Sequence, residues 1–584
     1  MTTSLAPSYN SIVRVDAGPT GDASTALETL TEMCRESGWK WVDGLLLGGC
    51  LAYALGDYAK AADWYGKILA LDNQHVEAMS NLAATMLATH RKKEAETYWS
   101  QAVKLRPSYF EAVEHLVGLL CGDHRAKDAV IVIEHVRKTL KMENAGASVS
   151  DHRSEAGSSI SESPSLGEVS DQPVFEYENG TDRSSKEYGD LPGSNQPGFG
   201  SSGYSIAGAD NGRILQLIHA KGNMLYAMGD NVGAAQAFEE AVMIGVGRSF
   251  GSIDGVIKHI LTMVNRATTR MNSNHKHGNS PGVDPILITP TQALETAKLC
   301  FPAFGELPGL KHIAREGQGR KAVVSTTSNS LLSLAKIFQD GMASSSSKAA
   351  AFKSQFGVRE ILALYYLSLA LQPSPSTANN VGILLASVQQ MAPSPPPMNS
   401  SEKGNMYPNV TPGSGIHLAL LYYNFGLTLD DKHAHLYTNY GSLLKDIGSL
   451  TWAIQMYERA VKCDPKFDIA LANLANAVKD TGRIADAITY YRRAVAANPD
   501  FAEAVCGLAN ALNSVCGWQG RGGIASKDGS YDRWHVTEDN MPVDARRPGV
   551  KSSGWMKRVV DLVDKQLADG EEWGKGIITA EFAE

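Results

Sequence analysis

The sequence predicts an all-α fold in which pairs of antiparallel helices stack into a right-handed superhelix interrupted by long disordered insertions. Three observations predict it. Small and aromatic residues recur with a period of roughly 34 residues. Within each period apolar residues fall at i, i+3 and i+7, the spacing of one helix face. Stretches rich in Ser, Gly and Pro separate the periodic blocks. A chain of 584 residues is longer than one hydrophobic core serves, and an array in which each unit packs only on its neighbours removes that limit.

The repeat is plainest where AHLYTNYGSLLKDIGSLTWAIQMYERAVKCDPKF (434–467) is followed without a gap by DIALANLANAVKDTGRIADAITYYRRAVAANPDF (468–501). Small residues hold the eighth and twentieth positions (Gly441 with Ala453, Ala475 with Ala487). An aromatic holds the twenty-fourth (Tyr457, Tyr491), a glycine the turn (Gly448, Gly482) and a proline the end (Pro465, Pro499). Small side chains let two helices approach, glycine reverses the chain after the first helix, and proline cannot continue the second. This is the pattern of a tetratricopeptide repeat superhelix, an α-solenoid. The same register recovers three units near the front, with Gly49 and Ala61, Ala83 and Ala95, and Val117 and Ala129 at the small positions, and a fourth with Gly222, Ala234 and Phe238. Two more units read as split by insertions: a helix at 328–340 with one at 358–372, and STANNVGILLASV with IHLALLYYNFGLTL.

The chain then divides into a disordered N-terminus (1–23), an N-terminal repeat block (24–142) and a disordered Ser/Gly/Glu-rich linker (143–210). A repeat-like pair with a following helix (211–268), an irregular insertion (269–327) and repeat-like units split by insertions (328–433) come next. A C-terminal repeat block (434–518) leads to a junction and transitional helix (519–584).

A formal net charge of -8 with both signs interspersed leaves no extended positive field for nucleic acid or an anionic membrane surface. No run of about 18 apolar residues occurs, the length a membrane span needs. The start, MTTSLAPSYN, lacks a basic and an apolar region, so a nuclear or cytoplasmic location is expected, with the Asn-X-Thr sites at Asn179 and Asn409 left unmodified. Cys50, Cys121, Cys463 and Cys506 fall in helical patterns and are expected to pack as small buried hydrophobes. Trp39, Trp41, Trp64 and Trp99 read as packing residues between repeats. His275 and His277 have no cysteine or carboxylate to complete a ligand set, so no metal site is assigned. HRKKE (90–94) reads as a solvated turn and helix start, and Arg-Gly-Gly at 521–523 as a flexible joint. No glycine loop for phosphates and no nucleophile elbow is found, so no catalytic residue is assigned.

First helices line the inner groove of such an array, and their sixth position is asparagine in four units: Asn81, Asn380, Asn439 and Asn473. An amide side chain donates to one backbone carbonyl and accepts from one backbone N–H, so a row of them suits an extended peptide largely regardless of its sequence. Extended peptide segments of client proteins are the expected partners, and a homodimer through the array is compatible with the same surface.

Residues 501–518, FAEAVCGLANALNSVCGW, resemble the terminal half-repeat of the protein O-GlcNAc transferases, with Gly517 in place of that family's acidic residue, and WMKRVVDLVDKQLADG (555–570) resembles its transitional helix. The glycine-rich GWQGRGG between them suggests a looser junction. The resemblance implies a substrate-binding arm that presents peptides for transfer of N-acetylglucosamine from UDP-GlcNAc to Ser or Thr hydroxyls. The family's histidine motif and nucleotide-sugar-binding lobes are expected only beyond Glu584, so this chain itself is expected to bind no cofactor. The alternative is a non-enzymatic adaptor. A carboxylate clamp of Lys and Arg would mark it, whereas the inner positions are mostly Asn, Ala, Ser and His.

Overall fold

The computed structural model describes residues 19–142, 195–271, 285–301, 305–315, 317–343, 356–388, 410–525 and 532–574. His275, His277, Asn179 and Asn409 lie outside them, as do residues 1–18 and most of the expected linker. The chain falls into two units, Met1–Ile214 and Leu215–Glu584.

The first unit contains α1 (Pro19–Glu36), α2 (Val42–Ala54), α3 (Tyr58–Leu71), α4 (Val76–Ala88), α5 (Lys92–Leu105), α6 (Phe110–Gly122) and α7 (Ala126–Leu140). Helix α1 starts at Pro19, ahead of the boundary expected at residue 24, because Leu27, Leu30 and Cys34 give it an apolar stripe that is buried. Within the pairs α2–α3, α4–α5 and α6–α7 the turn residue adopts a left-handed φ: 80° at Gly56, 63° at His90 and 60° at His124. The next N–H then reaches back to the sixth carbonyl, as in Arg91 N to Met86 O at 2.8 Å and Arg125 N to Leu120 O at 2.9 Å, which satisfies the last turn of the first helix.

The expected linker is corrected at its end. Residues 195–210 are packed, with Tyr204 and Ile206 buried and Ser205 N donating to Leu140 O at 2.8 Å. Two apolar anchors outweigh the surrounding Gly and Ser. Of the cysteines expected to be buried, Cys50 and Cys121 are exposed and Cys463 and Cys506 partly so, whereas Cys34 and Cys300 are the buried ones. Position on a helix face, not membership of a helix, decides burial. Trp64 and Trp99 are buried, as expected of packing residues, but Trp41 is exposed.

The boundary falls within α8 (Asn211–Ala227), and the second unit continues through α9 (Asn231–Val246), α10 (Ile253–Met271), α11 (Pro290–Leu294), α12 (Thr296–Cys300), α13 (Gln318–Ala343), α14 (Val358–Leu371), α15 (Pro375–Ser387) and α16 (Gly415–Leu429). It continues as α17 (Ala434–Asp446), α18 (Leu450–Cys463), α19 (Asp468–Asp480), α20 (Ile484–Ala497), α21 (Ala502–Ser514), β1 (Trp534–Val536), β2 (Pro542–Asp544) and α22 (Gly554–Gly574). Helix α13 pairs with α14 and α15 with α16. Across the first of these interfaces Ser328 Oγ donates to Ser368 O at 2.8 Å and Ser368 Oγ to Ser328 O at 2.9 Å, a reciprocal and fully buried exchange.

The segment expected as an irregular insertion instead holds α11, α12 and the start of α13. Residues 286–288 are tied down by two buried tyrosines, with Tyr366 OH donating to Ile286 O at 3.0 Å and Tyr422 OH to Ile288 O at 3.1 Å. The expected looseness at GWQGRGG is also overturned. Gly522 has φ +60° and a Cβ there would lie 1.9 Å from Ser553 O, while Arg521 pairs with Asp532 at 3.1 Å. Glycine is present because the backbones are pressed together. The antiparallel hairpin of β1 and β2 completes this junction, a small β element beside an otherwise helical fold.

The packing rule common to both units is the contact between positions eight and twenty-four. A Cβ on Gly49 would lie 2.6 Å from Tyr65, on Gly222 2.6 Å from Phe238, on Gly382 2.4 Å from Tyr423 and on Gly441 2.7 Å from Tyr457. Each ring edge therefore rests directly on the Cα of its own first helix. Alanine in place of an exposed mid-helix glycine usually gains about 1 kcal/mol. Gly441→Ala is expected to lose roughly 1–3 kcal/mol instead through overpacking, while Gly118→Ala, with nothing within 4 Å of the new Cβ, follows the ordinary gain. Urea titration followed by circular dichroism measures both.

His219 on α8 is held neutral. Its Nδ1 lies 2.9 Å from Ser330 Oγ, whose own proton goes to Thr326 O at 2.8 Å, and Asn223 Nδ2 donates to Nε2 at 3.1 Å. Burial pushes its pKa from 6.5 down to about 4. The unfolded chain binds this proton first, so the folded state loses stability as pH falls from 6.5 towards 4 and gains nothing above that window. His219→Gln is expected to flatten the pH dependence of the thermal midpoint across this range.

Candidate protein-binding face

In the second unit the first helices α15, α17, α19 and α21 lie side by side. Each is entered from the preceding pair by a short turn; His433 Nδ1 accepts from Leu436 N at 3.2 Å and caps α17. The apolar face at the remaining positions is buried: Leu436, Tyr440 and Leu444 on α17, and Leu471, Leu474 and Val478 on α19. Positions two, six and nine, separated by four and three residues, share the opposite face. They hold His435, Asn439 and Ser442 on α17, Ile469, Asn473 and Asn476 on α19, and Glu503 at position two of α21. All are exposed or partly exposed.

The four asparagines are in different situations. Asn81, in the first unit, donates to Cys50 Sγ at 3.6 Å. Asn439 Nδ2 donates to Asn379 Oδ1 at 2.8 Å, and Asn379 Nδ2 in turn points to Asn380 Oδ1 at 3.4 Å. Asn380 also lies beside the Tyr365 hydroxyl, which donates to Gln339 Oε1 at 2.7 Å. Asn473 makes no side-chain hydrogen bond among the described residues, so both ends of its amide are available. The sixth position is not asparagine throughout: it is Leu47, His115, Ala220 and Gly507 in other units, so the row is local to α15, α17 and α19 in the second unit.

Sequence reasoning missed position nine. There Cys50, Ser442 and Asn476 each face the aromatic hydroxyl fifteen residues later: Tyr65 OH to Cys50 Sγ at 3.5 Å, Ser442 Oγ to Tyr457 OH at 3.1 Å, and a short bond from Tyr491 OH to Asn476 Oδ1. Burial, with the Glu503 and Asp480 carboxylates nearby, pushes Tyr491 up to about 12, so its phenol stays protonated and donates. Asn476 Nδ2 donates to Glu503 at 3.1 Å. That amide is occupied at both ends, whereas Asn473, one turn earlier, is open. The fixed separation of fifteen residues was the signal available in the sequence.

Stacked helix pairs with a small residue at position eight, an aromatic at twenty-four and a left-handed turn between define a helical-repeat protein of the tetratricopeptide class. Residues 52–120, 434–467 and 472–514 each match a tetratricopeptide repeat model. No curated protein sequence matches the chain. Among solved structures it is similar to MamA, at 15% identity over 36% of this chain and 91% of that one with a TM-score of 0.24. It is also similar to PilF of Pseudomonas aeruginosa, at 13% identity over 34% and 72% with a TM-score of 0.25. Repeats of this class serve protein–protein interaction. Among the described residues no helix is long and apolar enough to cross a membrane, and no group of His, Cys, Asp and Glu is placed to hold a metal ion.

The division of labour between neighbouring asparagines has a measurable consequence. Asn476→Ala strips a partner from the Tyr491 hydroxyl and from Glu503 and is expected to cost about 1–2 kcal/mol. Asn473→Ala is expected to stay within about 0.5 kcal/mol of the parent. Thermal unfolding of the two variants separates them.

Proposed function

We propose that the face formed by Asn380, Asn439 and Asn473 binds extended segments of partner polypeptides through their main chain. The observation that carries this reading is Asn473, a half-buried amide with neither end satisfied, beside Asn439, whose oxygen remains free to accept. A peptide backbone offers the alternating donors and acceptors that such amides complement, and one hydrogen bond of this kind contributes about 0.5–1.5 kcal/mol. No Lys or Arg stands at positions two, six or nine of α17 and α19, which disfavours a clamp for a terminal carboxylate.

Within that reading, the resemblance of residues 501–518 and of α22 to the protein O-GlcNAc transferases supports a substrate-binding arm of an enzyme that transfers N-acetylglucosamine from UDP-GlcNAc to Ser or Thr. A nuclear or cytoplasmic location accompanies it, and no UDP-GlcNAc contact is assigned to residues of this chain. A non-enzymatic adaptor would use the same face.

An array of uncharged, unstructured peptides is the direct test. Asn473→Ala is expected to weaken binding several-fold across the array, whatever the side chains, with the thermal midpoint unchanged; adding Asn439→Ala weakens it further and lowers stability by about 0.5–1.5 kcal/mol, because Asn379 Oδ1 loses its donor. Binding that survives the double substitution overturns the reading. Among proteins captured by the chain, Ser- or Thr-linked N-acetylglucosamine detected by mass spectrometry supports the transferase arm, and unmodified clients favour the adaptor.

A further inference from the structure

The helix that presents Asn439 is capped by an imidazole. His433, immediately before α17, turns its Nδ1 to the Leu436 N–H at 3.2 Å. A backbone N–H can only donate, so Nδ1 accepts and the one proton of the neutral ring sits on Nε2. The residue before a first helix is aromatic elsewhere in the array: Trp41 before α2, Tyr109 before α6, Phe467 before α19 and Phe501 before α21. None of these side chains caps its helix. His75 repeats the histidine arrangement before α4, the helix of Asn81, with Nδ1 3.1 Å from Ala78 N. Histidine therefore keeps a ring at this position and adds an acceptor that a proton removes.

A proton on Nδ1 acts against the fold in three ways. Two N–H groups face each other where one bond stood, a cation stands at the positive end of the helix dipole, and a half-buried ring becomes charged. Burial accordingly lowers the pKa of His433 from 6.5, with Asp430 pulling it up and His435 pushing it down. The folded state binds this proton less readily than the unfolded chain does. The stability contributed by the cap is therefore complete above pH 6.5 and is lost as pH falls below it.

The turn after α16 also brings Asp431 and Lys432 to this end of the repeat, the end of α18 brings Lys462 and Asp464, and the turn into α19 brings Lys466 and Asp468. Cys463 Sγ, 4.0 Å from Asp431 O, and the Phe467 ring, 4.4 Å from that of His435, hold these segments together. Helix α15 carries no charged side chain, and His417 stands at the opposite end of α16. Histidine is the side chain that ordinarily changes charge between about pH 5 and 8. His433 and His435, with rings 6.0 Å apart, are thus the pair at this end that responds to mild acid.

We propose that His433 is an acid-sensitive latch on the polypeptide-binding face, whose protonation opens the first turn of α17 and weakens binding at Asn439. The inference rests on the asparagine reading for what is bound. Leu436 N loses its acceptor and residues 434–437 fray. The N–H of Asn439, which the helix bonds back to His435 O, loosens with them. His435 sets the threshold, because its charge opposes a proton on His433.

Uncharged peptides are titrated against the full chain by fluorescence anisotropy from about pH 7.5 to about pH 5, and the thermal midpoint is followed over the same range. Affinity is expected to fall several-fold below pH 6.5 and to recover on return to neutral pH. His433→Asn keeps an N-cap acceptor that no proton removes. It is expected to hold its affinity throughout and to gain in midpoint relative to the parent as pH falls, a difference in which His219 and the other histidines cancel. His435→Gln is expected to keep the fall and to move it to higher pH, the opposing charge being gone. An equal fall in the His433→Asn variant, or loss of the fall in the His435→Gln variant, overturns the proposal. Peptides that fail to bind even at neutral pH overturn the asparagine reading and with it the control of binding. A midpoint difference between His433→Asn and the parent that does not grow with acid overturns the latch alone, so the two failures are read separately.

Discussion

The contact on which the array depends is an aromatic ring edge resting on a residue with little or no side chain. When position eight is glycine, the ring at position twenty-four approaches the first helix to a distance no Cβ would allow. Burying a ring removes some 150–250 Å² from water, so in the pairs that have it this contact supplies much of the core and sets the spacing of the two helices. The spacing then decides where the remaining faces point. Because the ring is drawn inward, the tyrosine hydroxyl emerges beside position nine, and position six is left on the outward face.

Much of this was legible in the sequence, for a physical reason. A repeat displays its packing rule several times, so Gly441 with Tyr457 explains Gly49 with Tyr65, and the register of the pairs could be read from spacing alone. What was not legible depends on one-off contacts. The glycines at 520–523 look like a loose joint in composition, yet a single close approach of Gly522 to Ser553 O makes them tight. Residues 195–210 and the short helices α11 and α12 likewise owe their order to a few buried anchors, Tyr204, Ile206, Tyr366 and Tyr422, that no period announces.

The asparagine row shows the same limit at the level of a site. Its register positions were readable, but the state of each amide was not, since satisfaction depends on neighbours sixty residues away, as with Asn439 and Asn379. Chemistry at one position can therefore be structural in one unit and available in the next. Asn473 and Asn476 differ by less than one helical turn, and the second is consumed by Tyr491 and Glu503 while the first is open.

The segment around Ile286 and Ile288 bears on how the array yields to force. A stack whose units touch only their neighbours behaves as a spring, each joint contributing its own small compliance. Tyr366 belongs to α14 and Tyr422 to α16, members of successive pairs, and both hydroxyls grip the same short stretch of backbone. That stretch works as a splint across the joint. Twist or extension is resisted there more strongly than at a joint that helix packing alone holds together.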